Sequence, residues 1–367
     1  MRHLRQCRSE DIFTGNDISE GKCSNGAQDD SSRSFGDSRP NLFNESTHHI
    51  DDDSDYSDPF IDSSDDDEEE EEIEFPHIEV NPNFEVQSRG DPHDASLYVD
   101  VIAQILHNEE PEYVVEPGSI EKTQGNKIRE HRMMLGDWLF NLSFFYPSTT
   151  EALFQCISLF DRYLSNVNVP FEQLQLICSC CMWISAKVEL HSEDSLEPLR
   201  KCIHEKFSRQ DFIKAEADIL MGVNYKIHTV TPHFFLKRFL KAIDANEKIE
   251  FLASFLCGST LLFCEVSCYR PSVVAFCSIA AACLAFGEGE KIRSLGNFGQ
   301  NFKWEDVARC FTLILHAGKV VAAREKSFIF RKFGKNKIDG VSNGGANLLK
   351  SISLGSDLLR SLAKLFC

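Results

Sequence analysis

Residues 171–190 read FEQLQLICSCCMWISAKVEL, and the fold turns on how this run is packed. At about 100° per residue its apolar side chains fall on nearly every side of a helix, and Pro170 suits the opening turn. A helix apolar all round has to be enclosed by others, as in a bundle built around one central helix.

On the N-terminal side, Arg129 to Tyr146 has helical spacing and Pro147 would stop it. Ser148 with Glu151 has the form of a capping box for a second helix, which runs through LFDRYLS to Asn166. On the C-terminal side a weaker helix lies between Leu196 and Lys206, and Ser208 with Asp211 opens another that ends near Gly222. After Asn224 the pattern restarts: Thr231-Pro232 opens a helix through Leu240, followed by helices over 251–266, 271–286 and 304–321. In each half an apolar helix rich in small residues begins at a proline, Pro170 and Pro271. The expected architecture is all-α, two stacked five-helix modules, because no alternating β-branched run bounded by hairpin turns occurs. Ahead of them ASLYVDVIAQILHNEE (95–110) places Leu97, Val101 and Ile105, and also Tyr98 and Ile102, at helical spacing, so a short amphipathic helix precedes the first module. The expected organisation is a disordered acidic tail over 1–92, the leading helix and a linker over 93–128, modules over 129–227 and 228–343, and a C-terminal tail over 344–367 with weak amphipathic character.

The net charge of −19 comes mostly from fifteen acids, with no base among them, between Asp51 and Glu74. The remainder has no basic stripe of the kind that grips phosphates, so nucleic acid is not an expected partner. Ser54, Ser57, Ser63 and Ser64 lie beside these acids and suit an acid-directed kinase as well as a plain solvated tail. No signal peptide is read at the start, so the fourteen cysteines belong to a reducing compartment and act as small hydrophobes. Cys178 and Cys181 have CxxC spacing without a second pair, and no metal or cofactor is expected. Ser272 to Phe286, about fifteen apolar residues, falls short of the roughly twenty that cross a bilayer.

Catalytic signatures are missing: no GxxxxGK[ST], GxSxG, HExxH or GxGxxG motif occurs, and His131, His228 and His233 are not spaced with acids or cysteines as ligands would be. An enzyme is therefore not expected. What stands out is charge in apolar surroundings. Arg132, shortly before Trp138, and Asp161, inside LFDRYL, must be paired if buried, and they are read as a structural ion pair between the first two helices. Lys187 and Glu216 lie near helix ends and on composition alone read as a local salt bridge, worth about 0–1 kcal/mol.

A resemblance changes the weight of that last pair. HRMMLGDWL (131–139), LFDRYLS (159–165), LQLICSCCMWISAK (174–187) and KAEADIL (214–220) are similar, in order, to the motifs of the cyclin box. YRPSVVAFCSIAAACLAF, AREKSFIFRKFGKNKIDGVS and LYVDVIAQIL resemble segments of mitotic A/B-type cyclins, and the likeness runs from Leu97 to Ser342. It implies tandem cyclin folds and a non-catalytic subunit that binds and activates a cyclin-dependent kinase in mitotic or meiotic cell-cycle control, in nucleus and cytoplasm. Lys187 and Glu216 would clamp the kinase's regulatory helix, with Val188, Ile102 and Ile105 in apolar contact. Met134, Leu135, Trp138 and Gln175 match a patch that holds Arg-x-Leu motifs of substrates or inhibitors. Arg39 and Leu42 fit the minimal Arg-x-x-Leu degron, which implies a ubiquitin ligase as a further partner of the tail.

The chain also departs from the family pattern. His131 stands where Met is usual, Phe171 where a basic residue is common, and Val188-Glu189-Leu190 followed by HSED where Phe-Glu-Glu and a Tyr-Pro-Pro segment are usual. Two other readings stay open: a cyclin-fold transcription factor, which would want a zinc ribbon and a basic face, and a cyclin-like scaffold without a kinase.

Overall fold

The short-range hydrogen bonds that start helices mark out most of the architecture. In the computed structural model, which describes residues 98–335 apart from 147, 191–195, 297, 299–301 and 325–326, the chain forms helices throughout and no strand among the described residues. The leading helix is α1 (Val99–Glu109), followed by a 3-10 turn at Glu110–Tyr113 and a short α2 (Ser119–Gln124). The first module is α3 (Ile128–Leu142), α4 (Thr150–Asn166), α5 (Leu174–Leu190), α6 (Leu196–Cys202) and α7 (Arg209–Gly222). The second is α8 (Pro232–Ala242), α9 (Glu247–Ser259), α10 (Pro271–Ala285), α11 (Gly289–Gly296) and α12 (Trp304–Ala323), with α13 (Phe328–Lys335) after it.

The central helix expected from 171–190 is α5, which packs against α3, α4, α6 and α7. Its counterpart α10 is enclosed by α8, α9, α11 and α12, and every residue from Pro271 to Cys283 is buried. The two proline-led helices are therefore the cores of two five-helix modules.

The capping chemistry agrees with the sequence in three places and departs in three. Ser208 and Asp211 form the capping box of α7, Thr231 caps α8 with Pro232 at its first position, and Pro271 opens α10. At α4 the cap is Thr149, not Ser148: the Thr149 hydroxyl accepts from the Ala152 N–H at 2.9 Å. Glu151, expected to complete a box, instead accepts from Thr231 Oγ1 and pairs with His233 Nδ1 at 3.0 Å, so its carboxylate ties α4 to the start of α8. After Pro170 a 3-10 turn at Phe171–Gln173 comes before α5 begins. The helix expected over 251–266 begins earlier, at an Asn246 cap, and ends at Ser259, passing into 3-10 turns at Thr260–Leu262 and Cys264–Cys268.

Those turns break the helix because α3 runs against them. A β-carbon on Gly136 would fall 2.7 Å from the Leu261 carbonyl oxygen and 3.4 Å from Leu262 Cα. The glycine lets two backbones meet where any side chain would separate them.

Candidate functional site

Lys187 lies in the last turn of α5, and Glu216 in the middle of the neighbouring α7. The structure brings them together: the Lys187 ammonium donates to Glu216 Oε1, and the same ammonium stands 3.8 Å from the centroid of the Trp183 ring. Trp183 is itself packed edge-on against the buried Phe212 of α7. The pair is neither in the core nor loose in solvent, with side chains 32% and 22% exposed. An ammonium has three donors and a carboxylate two acceptor oxygens, so after one mutual bond the pair still offers both a charged donor and a charged acceptor.

Val188 is half-buried beside it, and Glu189 Oε1 accepts from Gln155 Nε2 at 2.7 Å. On α1, Ile102 is half-buried while Ile105 is 46% exposed. Leu106, next to Ile105, and Glu189, two residues after Lys187, line one cavity of about 530 Å³.

Arg132 and Asp161 are fully buried and meet in a two-point pair, Nε to Oδ1 at 2.5 Å and Nη2 to Oδ2 at 3.0 Å. Burial alone pushes the guanidinium down, but the charge and hydrogen bonds of Asp161 outweigh it and hold Arg132 above its ordinary range. The pair does more than lock α3 to α4. Arg132 Nη1 donates to the Leu261 carbonyl at 2.8 Å, and Ser267 Oγ donates to Asp161 Oδ2, both from the 3-10 turns of the second module.

The residues matched to the docking patch differ in exposure. Met134 is exposed at 40%, but Leu135, Trp138 and Gln175 are buried at 2%, 9% and 1%. Gln175 Oε1 accepts from Lys206 Nζ at 2.9 Å. Leu135 and Trp138 pack into the core and present little surface. The two departures meet each other instead, with the rings of His131 and Phe171 4.4 Å apart, and burial lowers the His131 imidazole. Arg39 and Leu42 lie outside the described residues.

Sequence reasoning missed two carboxylates because their partners are far along the chain. Glu110, fully buried, accepts from Ser272 N at 3.0 Å and Ser272 Oγ at 2.7 Å. Asp137 Oδ1 accepts from Ser327 Oγ and Phe328 N, holding the start of α13. Glu121, Cys264 and Glu265 come close enough to suggest a cation site. Arg129 lies against both carboxylates, at 2.6 and 3.5 Å, so they take part in an ion-pair network, and burial pushes the Cys264 thiol up to about 12. No described helix is long and apolar enough to cross a membrane.

Residues 100–228 match the family model of the cyclin N-terminal domain, and residues 230–345 that of the cyclin C-terminal domain. The chain belongs to the cyclin family. Among its relatives, Cyclin-B2-1 of Arabidopsis thaliana is 29% identical over 56% of this cyclin and 48% of that protein. Cyclin-A2-3 of the same plant is 31% identical over 52% and 44%, and G2/mitotic-specific cyclin-2 of Medicago sativa 27% over 56% and 63%. This cyclin thus matches B-type, mitotic and A-type plant cyclins at modest identity, as a divergent A/B-type member, and spans about half the length of the first of these relatives. An X-ray structure of a viral cyclin from herpesvirus saimiri aligns with a TM-score of 0.48 and 17% identity over 59% of this chain and 97% of that one.

Proposed function

We propose that this cyclin is a non-catalytic regulatory subunit that binds a cyclin-dependent protein kinase and switches it on, and that it acts in cell division in nucleus and cytoplasm. The observation that carries the reading is the Lys187–Glu216 pair. The pair is aligned by Trp183 and Phe212, kept partly open to solvent, and left with one charged donor and one charged acceptor beyond its own bond. The end of a helix on a partner offers unpaired N–H and C=O groups, and a fixed donor–acceptor couple matches them at charge-assisted strength. The family resemblance adds Ile102, Ile105 and Val188 as apolar contacts to the same kinase helix; Ile102 and Val188 are half-buried and Ile105 is exposed. Holding that kinase helix in place would complete the kinase's own Lys–Glu ion pair and metal site, so the effect is a conformational shift without chemistry on the cyclin. The names of the relatives, mitotic-specific among them, support the cell-division setting.

The test is recovery of kinases from a dividing-cell lysate with the full chain, wild type against Lys187→Ala/Glu216→Ala, followed by a histone phosphorylation assay. Kinase activity carried by the wild type and lost from the double variant is the expected result. Equal recovery by both proteins, or none by either, would overturn the reading.

A further inference from the structure

Among the described residues Glu110 is the one fully buried carboxylate outside the Arg132–Asp161 pair, and the proposed kinase contact does not use it. It is the first residue of the 3-10 turn directly after α1, and Pro111 follows it, so α1 and its turn join without an intervening loop. Its carboxylate reaches across to the first turn of α10, the central helix of the second module. There it accepts from Ser272 N, one of the helix-start N–H groups with no intrahelical partner, and from Ser272 Oγ. His107 Nδ1 closes the third side at 3.2 Å, with its ring 4.6 Å from that of Phe235 on α8. The turn after Glu110 is stitched in as well: Glu112 pairs with Lys226 at 2.6 Å, Arg162 stands 5.2 Å from the Tyr113 ring, and Val115 N donates to the Ser267 carbonyl at 2.9 Å.

A buried carboxylate with three bonds is costly to displace, whereas the outer part of α1 is thinly covered: Tyr98 and Ile105 are 63% and 46% exposed. At its inner end the leading helix thus meets a buried carboxylate bonded to the second module, while the turn that follows is tied to the first through Lys226 and Arg162. We propose that Glu110 is the positioning residue of α1: its bond to the start of α10 sets where Ile102 and Ile105 stand, so that the second module takes part in kinase binding without touching the kinase. This rests on the kinase-binding reading for its second half and on the geometry alone for its first.

Two measurements separate those halves. Hydrogen exchange of residues 99–109 in the free full-length chain should quicken about tenfold in Glu110→Gln, and in the same direction but less in Ser272→Ala, while exchange in α5 stays unchanged. Kinase affinity should fall about tenfold in Glu110→Gln, and that loss should shrink to about twofold or less when Ile102→Ala/Ile105→Ala is already present, because the anchor acts only through those side chains. A general loss of stability would quicken exchange in α5 too and would give additive affinity losses; either result overturns the proposal. Unchanged exchange in 99–109 overturns it as well. If the wild type binds no kinase while exchange in 99–109 still quickens, the kinase reading fails and the anchoring stands. Should Glu110→Gln fail to fold, Ser272→Ala carries the same two comparisons.

Discussion

Arg132 and Asp161 form a two-point ion pair with no exposed surface on either residue, and both halves of the pair continue into the second module, through the Leu261 carbonyl and the Ser267 hydroxyl. Removing one partner leaves the other charged and dry. Asp161→Ala is therefore expected to cost about 3–5 kcal/mol. Equilibrium urea unfolding measures this directly, and a loss below about 1 kcal/mol would show that the site admits water.

Lys187→Ala and Glu216→Ala should behave in the opposite way. The pair is partly solvated, so its contribution to stability is about 0–1 kcal/mol, with some packing of the lysine stem on Trp183 included. The double variant should melt within a few degrees of the wild type while kinase binding is lost. A variant that unfolds would move Lys187 and Glu216 from the list of contact residues to that of structural ones.

Gly136→Ala tests the contact between α3 and the 3-10 turns. The added methyl would meet a backbone carbonyl, which cannot rotate away, so a cost of about 1–3 kcal/mol is expected. The same substitution at Gly296, where nothing lies within 4 Å of an added β-carbon, should be neutral or mildly stabilising and serves as the control in one denaturation series.

The cysteines predict an alkaline limit. Burial pushes Cys264 and Cys283 up to about 12 and Cys268 to about 11, from an ordinary value near 9. These thiols stay protonated in the fold while they ionise in the unfolded chain, so their share of stability is complete below pH 9 and is lost as pH rises through 11 and 12. A fully buried thiol contributes a slope of at most about 1.4 kcal/mol per pH unit. Arg162, lowered to about 10 by burial, works the other way above that value, but it is one group against several. The urea midpoint in reductant should fall steadily between pH 9 and 11, and less steeply in Cys283→Ala; a flat midpoint would contradict the burial of these side chains.

Features set by neighbours in sequence were legible and features set across the fold were not. Ser208 with Asp211, and Thr231 with Pro232, announce their helices because each bond closes within three residues. The apolar run at 171–190 implied its own enclosure. The pattern over 251–266 hid the break at Thr260, since the hydrophobic spacing continues while the cause, α3 pressing through Gly136, lies more than a hundred residues upstream. For the same reason the Ser148–Glu151 spacing read as a capping box that the fold does not form: Glu151 is drawn away by Thr231 and His233, which its local sequence does not contain. In the candidate site, Lys187 and Glu216 were visible through motif spacing. Motif spacing does not report exposure: Met134 is exposed, while Leu135, Trp138 and Gln175 present little surface.

The bond between Glu110 and Ser272 also imposes an order of events on synthesis. Helix α1 leaves the ribosome before either module is complete, yet the hydrogen-bond donors for its anchor are encoded 162 residues later. At about 5–20 residues per second, that interval lasts roughly 8–30 s. During that time Glu110 lacks its Ser272 partner, while the contacts of the following turn with Arg162 and Lys226 can already form. A nascent chain cut short before Ser272 would carry a first module and a leading helix without its Glu110 anchor.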